Sequence, residues 1–153
     1  MSFLSSTFSG VLDLDPSADL IEYQESWHSR GNFRRAVESL TKQLSSLGLG
    51  EDARIGIMMR NHPDPFAAII SAICLDAVIV SINPMLPDDK LNADLKSLAL
   101  PVVVGLREDL ERPGVLDTLK AAGSAVIELE PIHKGAKLLD GFEEIDQALV
   151  RLT

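Results

Sequence analysis

The chain has 153 residues, 46% of them hydrophobic and 24% charged, enough to bury one sizeable core in a single domain. Its 14 basic and 23 acidic side chains give a net charge of −9, which disfavours nucleic-acid backbones and anionic lipid surfaces as partners. One cysteine, Cys74, excludes an internal disulfide and a cysteine-built metal cage. An N-terminus with no basic region, and no run near the ~20 apolar residues of a membrane span, lead us to expect a cytoplasmic protein.

Residues 1–19 lack sustained periodicity and carry Pro16 among Ser and Asp, so an extended arm is expected ahead of a single subdomain over 20–153. The segment "DLIEYQESW" suits an edge strand or hairpin. Phe33, Ala36, Val37, Leu40, Leu44 and Leu47 recur at helical spacing and Gly48 follows as a cap, which predicts a helix over 32–47. "RIGIMM", from Arg54, has no polar face, as expected of a strand covered on both sides.

Asn61 stands where a helix cap is expected, with Pro63, Asp64 and Pro65 in the first turn of "PFAAIISAICL". "AVIVSI" reads as another buried strand, "DKLNADLKSL" as a helix and "PVVVG" as a third strand. "PGVLDTLKAAG" predicts a helix ending at Gly123, "SAVIELE" a fourth strand, and "FEEIDQALVRL" a final helix. Strands alternating with helices imply an α/β fold of three layers, with a mostly parallel sheet flanked by helices.

Familiar catalytic motifs do not occur. The "GLG" at Gly48–Gly50 follows a helix and precedes a strand, the wrong order for a phosphate cradle. There is no G-x-x-x-x-G-K-[ST] and no G-x-S-x-G. His28, His62 and His133 have no metal-ligand spacing with one another or with Cys74, and Cys74 sits in an apolar run that suits a buried thiol. The pairs Asp88–Asp89 and Glu143–Glu144 fall at predicted helix starts, where the dipole favours negative charge. Arg60 and His62 stand apart, because in open α/β sheets ligands gather at the carboxyl ends of strands.

The run from Trp27 to Leu98 resembles the N-terminal subdomain of AMP-forming acyl-CoA synthetases, in the superfamily that includes luciferases and peptide-synthetase adenylation domains. Its landmarks come in order. A helix ends at Leu47 and Gly48, Glu51 and Asp52 precede the strand Arg54–Ile57, and Asn61 with a proline opens the next helix. Ala77–Ile82 lead to Asn83 and Pro84, with Pro87 and Leu91 starting the helix after. The likeness covers roughly residues 20–105 and departs at Leu75-Asp76-Ala77, where the family has Ala-Gly-Ala; a carboxylate there bears on close helix–strand packing.

The resemblance implies a parent enzyme that uses ATP, magnesium and CoA to join a carboxylic or fatty acid to CoA through an acyl-adenylate. It also implies that the family's Ser/Thr/Gly-rich phosphate loop, adenine motif, hinge aspartate and adenylation lysine fall further along than Thr153. This chain is therefore expected to be an N-terminal fragment that holds no catalytic, cofactor-binding or metal residue, with Arg60 and Asn61 as candidate contacts at the cleft. Its expected partners are the remainder of the enzyme or, through apolar faces left open, a second copy. The alternative is a free-standing flavodoxin-like binding domain. A receiver-type version fits poorly, since Asp13 and Asp15 follow no buried strand.

Overall fold

The computed structural model describes residues 3–12, 19–23, 26–60, 62–130 and 136–150. The first element corrects the expected arm: α1 (Phe3–Leu12) is a helix. Ser, Thr and Gly fill its middle, so local propensity argues against it. Contact with α2 and α3 supplies what propensity lacks, and Ser5 is fully buried. Next, β1 (Asp19–Tyr23) and β2 (Ser26–Ser29) pair antiparallel as the expected hairpin.

Helix α2 (Arg30–Ser46) starts where the Ser29 hydroxyl accepts the Asn32 N–H at 3.1 Å. It ends in a Schellman turn: Gly48 takes φ +82° and its N–H donates to Ser45, while Leu49 N–H donates to Leu44. Between these caps Phe33, Ala36, Val37, Leu40 and Leu44 form one buried face.

Strands β3 (Arg54–Met58), β4 (Val78–Ile82), β5 (Val102–Leu106), β6 (Ala125–Leu129) and β7 (Ala136–Leu138) form one sheet in the order β4-β3-β5-β6-β7. The first four run parallel and β7 is antiparallel to β6. Helix α3 (Pro63–Cys74) packs with α2, and α4 (Asp88–Leu98) packs with α6 (Val115–Ala122). The short helix α5 (Arg107–Leu110) follows β5 directly, and α7 (Gln147–Val150) closes the described chain.

Side-chain alternation splits the core in two. Ile55, Ile57, Val102, Val104, Ala125 and Ile127 join α2 and α3 in one apolar cluster. Met58, Val103 and Val126 join Leu91, Leu95, Leu110, Val115 and Leu119 in the other. The fold is therefore α/β in three layers, as expected. Gly56 allows the tight packing at the sheet's centre: a Cβ there would lie 2.5 Å from Leu100 Cδ1 and 2.9 Å from Ile82 Cδ1.

Two further expectations are corrected. "AVIVSI" is the sheet's edge and not a buried strand, with Val78 45% exposed. The tail is helical only over Gln147–Val150, because its backbone is used elsewhere. Val126 N–H donates to the Phe142 carbonyl and Asp146 N–H to Gly123. The Asp146 carboxylate then accepts the Ala148 N–H, which starts the helix late. Glu143–Glu144 thus lie in an irregular segment, whereas Asp88–Asp89 do open α4.

Candidate functional site

The connection after β3 runs outward to β4 and the one after its neighbour β5 runs the other way, to β6. This leaves a crevice outside the carboxyl ends of β3 and β5. Arg60 and His62 follow β3 into that region, and α5 follows β5.

Arg60 is held there by a partner far away in sequence. Its Nε donates to Asp109 Oδ2 at 3.0 Å and Nη2 donates to Oδ1 at 2.6 Å, a two-pronged match of guanidinium and carboxylate. The Asp109 side chain is 1% exposed and that of Arg60 32%. The hydrogen bonds that Arg60 donates to Asp109 raise its pKa, against a smaller opposing effect of burial, so it stays charged. Nη1 contacts the Met85 sulfur at 3.0 Å. Asn61, the other candidate contact, lies outside the described residues.

His62 is the cap of α3: its Nδ1 accepts the Asp64 N–H at 3.2 Å. That role places the ring proton on Nε2. Asp64 Oδ2 lies 3.3 Å from the same Nδ1, where an ionised oxygen would face a lone pair. Burial pushes the Asp64 carboxyl up to about 7, and the neutral acid removes that repulsion. Asp64 Oδ1 is buried with no hydrogen-bond partner. His28 lies in β2, and His133 lies outside the described residues.

Arg107 opens α5 and clamps β6. Its Nε donates to Glu128 Oε1 at 2.8 Å and Nη2 donates to Oε2 at 3.1 Å, with Lys137 Nζ 3.5 Å from Oε2. Hydrogen bonds from Arg107 hold the buried Glu128 carboxyl below its ordinary range, against a smaller effect of desolvation. Arg112 ties Asp88 at 2.6 Å and the Leu86 carbonyl at 2.6 Å, closing the loop before α4 onto the turn after α5.

Between these ion pairs lies a cleft of about 400 Å³, lined by His62, Asp64, Leu106, Arg107, Glu108 and Glu111, with Leu129 at the end of β6. Three carboxyl groups against one already paired guanidinium do not fit a nucleotide's phosphates. Among the described residues no group of three or more His, Cys, Asp or Glu side chains is placed to hold a metal ion. Among the described residues no helix is long and apolar enough to cross a membrane.

The fold and its strand-end crevice define an α/β domain of the kind that binds ligands at a topological switch point. The family model of AMP-binding enzymes matches residues 13–148. The chain belongs to this family. No curated protein sequence matches it. Among solved structures, IdnL1 superposes with a TM-score of 0.71 at 17% identity, over 94% of this chain and 27% of its own. O-succinylbenzoate coenzyme A synthetase from Bacillus subtilis, in complex with AMP, superposes with a TM-score of 0.64 at 14% identity, over 91% and 34%. The anthranilate CoA ligase AuaEII, in complex with anthranoyl-AMP, gives 0.63 at 13% identity, over 78% and 22%. The chain thus spans between 22% and 34% of the length of these structures.

Proposed function

We propose that this chain is the N-terminal part of an AMP-forming ligase that activates a carboxylic or fatty acid as its adenylate and passes it to CoA. The observation that carries the reading is the family match over residues 13–148. Neighbours whose names include a coenzyme A synthetase bound to AMP and a CoA ligase bound to an acyl-AMP support it. In this reading the strand-end surface is a wall of the acyl and nucleotide clefts. Arg60, fixed by Asp109, faces that wall, and the groups that offset charge as a carboxylate attacks the α-phosphate are supplied by the remainder of the enzyme.

Phe66 is 43% exposed and Met85 72%, beside the strand ends, and Val78 is exposed on the edge strand. These are the places where the remainder of the enzyme packs, and where a second copy packs in its absence. The native reading frame past the codon for Thr153 tests the proposal. Continuation into a Ser/Thr/Gly-rich loop ending in Pro-Lys is expected; a stop codon there would favour the flavodoxin-like binding domain. Light scattering on the 153-residue chain should show a dimer or larger species, and a monomer at high concentration would count against the second-copy contact.

A further inference from the structure

We propose that the cleft at the carboxyl ends of β3, β5 and β6 binds a primary ammonium group on a short apolar body, with Asp64 as its counter-ion. The observations are independent of the adenylation reading, since an amine can be held here whether or not the chain serves to activate an acid.

Asp64 lines the cleft, its side chain is 5% exposed, and its Oδ1 has no hydrogen-bond partner. A buried carboxylate oxygen left unpaired is unfavourable. Relief requires a donor, and none on the cleft wall reaches Oδ1. Arg107 directs Nε and Nη2 at Glu128, and His62 uses Nδ1 to accept the Asp64 N–H. Glu108 and Glu111 add negative charge, while Leu106 and Leu129 add apolar wall. An ammonium supplies three N–H donors and a positive charge together. Its apolar stem suits the two leucines. An anion would meet three carboxyl groups and a guanidinium already neutralised.

Binding is linked to protonation. The groups facing Asp64 are His62 at the head of α3, then Arg107, Glu108 and Glu111 after β5. Glu128 and Lys137 stand behind Arg107, and the Arg60–Asp109 pair lies beyond. With the Asp64 midpoint at about 7, its ionised share falls from roughly nine-tenths at pH 8 to roughly one-thirtieth at pH 5.5. Affinity for a cation should fall about thirty-fold over the same interval.

The test is titration of the 153-residue chain with n-butylammonium chloride, followed by amide shifts and by the carboxyl carbon of Asp64. Saturable shifts at His62, Asp64, Leu106 and Leu129 are expected at pH 8. They should weaken about thirty-fold at pH 5.5 and disappear in Asp64→Asn. In the unmutated chain the Asp64 midpoint should move down when butylammonium is added, a readout that does not depend on how the variant folds. Any of four results would overturn the proposal: no saturable shift at pH 8, an unmoved Asp64 midpoint, equal shifts in folded Asp64→Asn, or equal shifts from tetramethylammonium, which carries charge without N–H donors.

Discussion

The two ends of the central sheet are built differently. At the amino ends of the strands, charge is used to close the structure. Arg54 donates to the Leu98 and Ala99 carbonyls that end α4 and to the Leu149 carbonyl of α7. The Ser124 hydroxyl donates to Leu100, and Lys120 donates to Gly141 while lying over the Phe142 ring. At the carboxyl ends, two arginines reach buried acids across the sheet, a capping histidine crowds a buried carboxyl, and a cleft remains between them. Each end keeps a hollow, about 540 Å³ beside Lys120, Ser124 and Asp146 and about 400 Å³ beside Asp64 and Arg107, but side chains bind main-chain carbonyls at the first and buried acids at the second. Burying charge beside a cleft is costly for stability alone, and sites that bind ligands are where proteins accept that cost.

The largest effect should come from breaking the Arg60–Asp109 pair at the carboxyl end. Arg60→Met leaves Asp109 buried without a counter-charge and should lower stability by about 3 kcal/mol in urea unfolding. Adding Asp109→Leu should recover most of it. A loss below ~1 kcal/mol for the single variant would remove the contrast between the two ends.

The next effect depends on pH. Asp64 has a folded midpoint of about 7, above the ~3.9 of an unfolded chain, so folding takes up a proton between these values. Its contribution is fully present below about pH 4 and is lost as pH rises through about 7. Asp64→Asn should therefore be nearly neutral at pH 4 and stabilising by roughly 2–4 kcal/mol at pH 8. Equal effects at both pH values would mean that Asp64 is not protonated on folding.

The smallest effect lies at the amino end. Asp76 takes φ +56°, a left-handed conformation that glycine adopts without strain. Asp76→Gly should stabilise the chain by ~0.5–1 kcal/mol, read from the thermal midpoint. A loss of stability would show that the carboxylate, and not the backbone, decides that corner.

That position also shows how far the sequence reaches. Leu75-Asp76-Ala77 marks a departure from a glycine pattern, and the structure supplies the reason for the glycine: a turn with positive φ between α3 and β4. Apolar periods likewise fix α2, α3, β3, β5 and β6, because burial on a helix face or both sides of a sheet leaves its spacing in the chain. Arg60 at a strand end is legible by the same logic. Its partner is not, since Asp109 lies 49 positions away in a four-residue helix too short to show a period. The edge position of β4 is hidden because "AVIVSI" is apolar whichever place it takes in the sheet. Asp64 reads as a first-turn acid favoured by the helix dipole, and only the packed structure reveals its burial and its unpaired oxygen. Helix α1 escapes because tertiary contact, not propensity, stabilises it.

The most direct measurement is ATP–pyrophosphate exchange with a panel of carboxylic acids, run on the product of the native reading frame and on the 153-residue chain. Exchange by a longer native protein and none by the 153 residues alone is expected. Exchange by the 153-residue chain would contradict the assignment of the adenylation chemistry to the remainder of the enzyme, and a native protein without exchange on any acid would contradict the ligase itself.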